Sequence, residues 1–408
     1  MGLGIRARLR KLRLYPELSD RTGVGTWFRN EATALGKRLV GMQDIVDPSD
    51  SLAIDLARLS HVTRLLGREV EPPARDRRQM IKQRQRISHY LGERLTECTA
   101  RERETVVQAF ARADNELPPE VQSLRSRDMW SEGDTIRENG CVGLGRTLDD
   151  AQIASIHAHL RTKPLLLGHD AHTTKNRVAS LADVPAEQSF ACYDYLDLWS
   201  SPHIIELATQ DRVLDIAQAY LGCTPTLYSI NAFWSLPNRQ LHPYAQLFHR
   251  DWEDFRSFVV FTQLTPVDEP QEGAHYYVEE SHEYDRFEAS LARSGVDGAS
   301  IKVLMEKDPV AIADIADGRF SRTARRFDGP AGQSFCTDGF GLHRAVVPRS
   351  KPRLLMWMRF GNFFNEKMYD FAPHIRDRVA ARKVLERIPA TARHRYAFRH
   401  MAEALSAI

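Results

Sequence analysis

Phe248-His249-Arg250-Asp251, answered much later in the chain by Leu342-His343-Arg344, is the stretch that decides how this sequence folds. In an extended segment His249 and Asp251 stand two residues apart and project from one face. Two imidazole nitrogens and one carboxylate oxygen then form a facial ligand set with three positions left open, the donor set suited to non-haem Fe(II). A lone His-x-Asp arises by chance in a chain with 15 histidines. The order His-x-Asp, then His, then Arg carries more. Arg353 follows the turn Pro348-Arg349-Ser350-Lys351-Pro352 and opens the apolar run Leu354-Leu355-Met356-Trp357-Met358. A guanidinium placed there binds a carboxylate through two parallel hydrogen bonds, as a dicarboxylate co-substrate such as 2-oxoglutarate requires. Arg349, inside the turn, competes for the same role.

From Thr224 to Gly361 the texture around these residues is β. Pro225 to Trp234, Phe255 to Thr265, Ala274 to Val278, Gln333 to Cys336, Arg344 to Val347 and Arg353 to Phe360 are rich in β-branched and aromatic residues, with Pro, Gly and charged clusters between them. Short strands with long connections suit a double-stranded β-helix, or jelly roll. Residues 283–330 break the pattern with helical Ile/Leu spacing and read as an insert. Helical periodicity also marks Ser51 to Leu59, Arg103 to Ala113, Asp149 to Leu160, residues 202–221, and Ile375 to Leu385 with Arg395 to Leu405. Pro72-Pro73 and Pro118-Pro119 punctuate the first part. The fold expected is a mainly β catalytic core with α additions, a helical N-terminal extension over 1–130 and a β-helix domain over 131–408 with C-terminal helices.

The stretch Val259 to Asp268, continuing through Gly273-Ala274-His275-Tyr276-Tyr277-Val278 to Ser281-His282, resembles the phytanoyl-CoA dioxygenase family, as does Asp338 to Pro348 around His343. The pieces Ile136 to Val142 and Leu148 to Ile153 are similar to the family's opening, so the resemblance spans roughly residues 133–365. It implies an Fe(II)/2-oxoglutarate-dependent dioxygenase, a hydroxylase in which His249, Asp251 and His343 hold iron and Arg353 anchors the co-substrate. Dioxygen is then consumed, and succinate and CO2 are released. Many family members carry a hydroxyl residue two after the distal histidine, where this chain has Ala345. A second hydrogen bond to the co-substrate must come from elsewhere, and Thr262, Tyr228 and Asn231 are the candidates. Asp251 argues against a halogenase, which needs that coordination position vacant. His275 and His282 match family positions that serve structure or the pocket wall. His169 and His172 read as a solvated loop, while Trp234, Trp252, Phe255 and Trp357 are candidates for the cavity lining or the core.

Composition bounds the rest. The chain has 408 residues, of which 42% are hydrophobic and 27% charged, enough for a substantial core. Net charge of +2 gives no overall case for nucleic acid or membrane. The charge is uneven, since residues 1–130 hold 24 Lys and Arg against 18 Asp and Glu. The excess gathers in Arg6 to Arg13 and in Arg75 to Arg86, the latter read as an exposed helix. Residues 3–14 place Ile5, Leu9 and Leu12 on one face among arginines, which allows weak contact with a membrane surface. Five cysteines without Cys-x-x-Cys spacing, no transmembrane-length run and no signal-peptide centre lead us to expect a cytoplasmic protein. The substrate expected is a small or carrier-linked molecule. The alternatives are a nucleic-acid dealkylating dioxygenase, suggested by the basic N-terminal part and the Arg353-x5-Arg359 spacing, and a non-catalytic jelly-roll binding protein.

Overall fold

Thr226 to Ser235, Ser257 to Gln263 and Arg353 to Gly361 are dense in branched and aromatic side chains, which pack well on a pleated surface and disfavour helix. In the computed structural model, which describes residues 48–70, 77–115, 117, 121, 131–237, 245–306, 308–366 and 368–407, these three become the central strands. The strands among the described residues are β1 (Cys141–Arg146), β2 (Leu165–Leu166), β3 (Arg177–Val178), β4 (Phe190–Tyr193), β5 (Thr226–Ser235), β6 (Ser257–Gln263), β7 (His275–Tyr277), β8 (Arg325–Phe327), β9 (Gln333–Thr337), β10 (His343–Ala345) and β11 (Arg353–Gly361). One sheet of eight strands runs β1-β9-β6-β11-β5-β4-β2-β3, and a smaller sheet runs β10-β7-β8. All pairings are antiparallel.

Register decides which side chains meet. β11 pairs with β5 from Arg353↔Ser235 onward and with β6 from Leu355↔Gln263 onward. Directly paired residues share a face and neighbours in sequence alternate. One face of the large sheet therefore carries Arg353, Leu355, Trp357 and Arg359, with Asn231 and Phe233 of β5 and Val259, Phe261 and Gln263 of β6. This face looks toward the small sheet: the ring of His275 on β7 lies 4.8 Å from Phe261 and 5.2 Å from Phe335. Helices cover the opposite face, where Trp199 Nε1 donates to the Ile230 carbonyl and Tyr220 packs on Phe258.

Helices Pro48–Leu65, Arg77–Glu97 and Ala100–Asp114 belong to the first 130 residues. Leu56, Leu59, Leu91, Val106 and Phe110 on them join the same apolar core as β5, β6 and β11. Buried ion pairs fasten them further, Arg58 to Asp114 and Asp55 to Arg399. The basic helix Arg77–Glu97 exposes Arg77, Arg78, Lys82 and Arg86, but Arg84 is buried between Glu366 and Glu403. Residues 3–14, both Pro-Pro pairs and the boundary expected near residue 130 lie outside the described residues.

Residues 283–330 form helices Tyr284–Arg293, Gly298–Leu304 and Pro309–Phe320, followed by β8. Their apolar side chains cluster around Phe248 and Leu342, the residues just before His249 and His343. The insert is thus a buttress under both histidine-bearing segments.

Candidate metal centre

His249 lies outside the named strands but makes an isolated antiparallel bridge with His343 at the start of β10. Each backbone N–H donates to the other residue's carbonyl, at 3.0 and 3.1 Å. The bridge puts the two imidazoles side by side, ring centroids 4.2 Å apart. Asp251, two residues on, donates its N–H to the Gly339 carbonyl at 2.8 Å. Its carboxylate lies 3.6 Å from His249 Nε2 and 3.7 Å from His343 Nε2. One ligand atom from each of the three side chains lies within 4.8 Å of the others.

The ring nitrogens are already assigned. His249 Nδ1 lies 2.8 Å from the Leu247 carbonyl, and His343 Nδ1 lies 2.8 Å from the Gly341 carbonyl. A carbonyl only accepts, so each Nδ1 carries a proton and each Nε2 is the nitrogen left to meet a metal at the centre. Burial, helped by the neighbouring His249, lowers the His343 pKa to about 4, so that ring is neutral near pH 7. Burial alone would raise the pKa of Asp251, but the Arg359 guanidinium beside it outweighs that and holds the carboxylate ionised. Arg359 Nη2 sits 3.3 Å from Asp251 and its Nη1 pairs with Glu253. Two imidazole nitrogens and one carboxylate fit a ferrous ion.

Arg353 lies along the same inner face and is 1% exposed. Its Nε donates to Gln263 Oε1 at 3.3 Å, while Nη1 and Nη2 have no hydrogen-bond partner among the described residues. Burial drags its pKa down to about 9, and no carboxylate among the described residues restores it. Gly273, at φ +103°, makes room for this side chain: a Cβ there would stand 2.6 Å from Arg353 Cδ. Arg349, the competitor, is exposed and outside this interior.

The three other candidates fare differently. Thr262 is a correction. Its position alternates with Phe261 and Gln263, so it faces the helices, and its hydroxyl lies 2.8 Å from Ser334 Oγ. Gln263 and His275 stand beside Arg353, each with an Nε2 that lacks a partner among the described residues. Tyr228 is skipped by the strand pairing between Ser229 and Leu227, and this bulge turns its ring onto Tyr369 at 5.1 Å. It stands at the Arg359 end of β5, away from Arg353. Asn231 does reach the inner face, where Nδ2 donates to the His169 carbonyl and Oδ1 has no partner. His169, expected in a solvated loop, packs 6.0 Å from Phe190 and 6.3 Å from Trp357 and so borders the interior. Its neighbour His172 instead pairs with buried Asp170 at 2.8 Å. Trp357 also faces inward, whereas Trp234 faces outward and donates to Tyr193.

No family model matches this chain, and no curated protein matches it. Solved structures do. The chain is similar to the non-heme alpha ketoglutarate dependent epimerase SnoN from nogalamycin biosynthesis, at 15% identity over 57% of this chain and 82% of that one, with a TM-score of 0.35. It is also similar to HygX from Streptomyces hygroscopicus with nickel, 2-oxoglutarate and hygromycin B bound, at 14% identity over 58% and 87%, TM-score 0.37. EvdO2 from Micromonospora carbonacea var. aurantiaca gives 17% identity over 59% and 92%, TM-score 0.36. The overlap is slight, and the functional reading rests on the site itself.

Proposed function

We propose that this chain is an Fe(II)/2-oxoglutarate-dependent oxygenase built on a double-stranded β-helix, hydroxylating a small or carrier-linked substrate in the manner of the phytanoyl-CoA dioxygenase family. One observation carries the reading: three converging metal-ligand side chains share an interior with a buried, unpaired guanidinium. A protein gains nothing in stability from such a cation, so a ligand carboxylate is its natural counter-ion.

His249, Asp251 and His343 hold the metal, and a ferrous ion there supplies the redox chemistry that couples dioxygen and 2-oxoglutarate to substrate oxidation. Arg353 binds the distal carboxylate of the co-substrate, the Gln263 amide nitrogen offers a further donor beside it, and His275 Nε2 a further hydrogen-bonding group. Phe261 and Phe335, stacked 5.1 Å apart, make an apolar floor that keeps water from this salt bridge. Asn231 Oδ1 and Trp357 Nε1 present polar edges on the side bordered by His169 and so suit substrate orientation. The Arg353-x5-Arg359 spacing finds its own explanation in the pairing of Arg359 with Asp251 and Glu253, which removes that spacing as support for nucleic-acid dealkylation.

Anaerobic Fe(II) with 2-oxoglutarate tests the proposal. We expect the visible charge-transfer band of a chelated keto-acid, and its absence in His249→Ala and Asp251→Ala. A stoichiometric Zn(II) site indifferent to 2-oxoglutarate would sink it.

A further inference from the structure

Asp251 opens a stretch, residues 251–256, that belongs to no strand or helix. A ligand on such a segment holds its place only if something outside fixes the segment. Its own backbone N–H bond to Gly339 is one point. Arg359 holds the Asp251 and Glu253 side chains, the Phe363 N–H donates to Asp254 Oδ2, and the Arg256 N–H donates to Asn362 Oδ1. The carbonyls of the segment are held by Arg103, on the helix Ala100–Asp114. Arg103 Nε and Nη2 donate to the Phe255 carbonyl at 3.1 and 2.7 Å, and Nη2 also reaches the Asp254 carbonyl at 3.3 Å.

The same guanidinium lies 3.0 Å from the centre of the Phe340 ring and 5.5 Å from that of Trp252. Those two rings meet edge to face at 4.7 Å. Trp252 follows Asp251 directly. Phe340 follows Gly339, the acceptor for Asp251, and lies three residues before His343. One cation therefore grips both segments that deliver ligands. Arg103 is 5% exposed and forms no ion pair among the described residues, and its Nη1 has no hydrogen-bond partner. Its helix is itself well fixed: a Thr99–Glu102 capping box sets the first turn, and Val106 and Phe110 bury the face it shares.

We infer that Arg103 is a positioning residue that sets the Asp251 carboxylate against the two imidazoles, an inference that rests on the metal-centre reading above. The imidazoles have carbonyl partners of their own, whereas the Asp251 carboxylate keeps only Arg359 beside it, so loss of Arg103 is felt most at the carboxylate. A group that orients a ligand in this way typically tunes metal affinity 10- to 100-fold, roughly. Lysine, with the charge but without the planar fork, cannot make all three carbonyl bonds and serves only in part.

The test uses the full chain loaded with Co(II), whose visible bands report coordination and whose affinity is read by titration. Arg103→Met is expected to bind Co(II) at least tenfold more weakly, with bands moved away from those of the parent chain and toward those of Asp251→Ala. Arg103→Lys is expected to fall between. Arg84→Met, which removes an equally buried arginine that pairs with Glu366 and Glu403 rather than with residues 251–256 or 339–343, should lower thermal stability without changing the bands. If Arg103→Met folds and keeps parental affinity and bands, the inference is wrong. If it does not fold, Arg103→Lys decides: parental affinity and bands in that variant overturn the inference equally. A parent chain that binds no Co(II) at His249, Asp251 and His343 would instead overturn the metal-centre reading and this inference with it.

Discussion

Replacing Arg353 by methionine takes out a buried charge that the protein leaves without a counter-ion, and the sign of the result is informative. Burial lowers the guanidinium pKa from 12.5 to about 9. At about 1.4 kcal/mol per unit, that is on the order of 5 kcal/mol of cost for keeping the charge in the empty fold. For a base with a depressed folded pKa, the cost is present in full below pH 9 and is relieved as pH rises from there toward 12.5. Methionine removes this cost at pH 7 and forfeits the Nε bond to Gln263, roughly 1 kcal/mol, with some packing of the stem. The unliganded variant should therefore be as stable as the parent or up to a few kcal/mol more stable in urea unfolding, on the order of the difference of these terms. Its affinity for 2-oxoglutarate should fall by about 2–4 kcal/mol, roughly 30- to 1,000-fold, the scale of losing one half of a buried charge pair. Isothermal titration of the metal-loaded protein measures the second quantity. A variant that is much less stable when empty yet binds 2-oxoglutarate normally would refute the reasoning, and so would Arg349→Leu abolishing binding while Arg353→Met does not.

Gly273→Ala should reproduce the co-substrate defect without touching Arg353, because the new Cβ would press on its Cδ at 2.6 Å while Co(II) titration of the triad stays unchanged. His249→Ala and Asp251→Ala should each lose Fe(II) from the site at micromolar metal, measured by metal analysis after gel filtration. Acid stability should reflect His400, whose pKa burial lowers to about 4. A base held neutral in the fold loses stability as pH falls from 6.5 to 4, here by about 3 kcal/mol. His400→Gln, though less stable at pH 7, should show a shallower decline between pH 7 and 4.5 in chemical denaturation.

The residues that meet at the centre were legible because they obey short-range rules. An extended His-x-Asp projects both side chains to one face, and the β-branched runs that become β5, β6 and β11 announce themselves. Arg353 stands out from Arg349 because it opens an apolar strand. Thr262 shows where such reading ends: its neighbours Phe261 and Gln263 face the interior, and a strand inverts the role of a side chain with every single residue. Tyr228 was displaced by a bulge that no composition signals. His169 and the short strands β2, β3 and β4 depend on pairing with distant segments, so a loop-like composition concealed a wall of the interior. Arg103 is the extreme case, since it meets Asp254 and Phe255 across about 150 residues and sits in a helix whose periodicity looks ordinary.

All five cysteines, Cys98, Cys141, Cys192, Cys223 and Cys336, are free and buried. Burial pushes every one of these thiols upward, Cys223 to about 12. A thiol held protonated and out of reach is a poor nucleophile, so the native fold should ignore alkylating reagents and take them up only on unfolding. That makes maleimide uptake a direct clock for global opening. It also makes one cysteine added at an exposed position such as Val379, 65% exposed on the helix Arg378–Arg387, a clean handle for a dye or spin label.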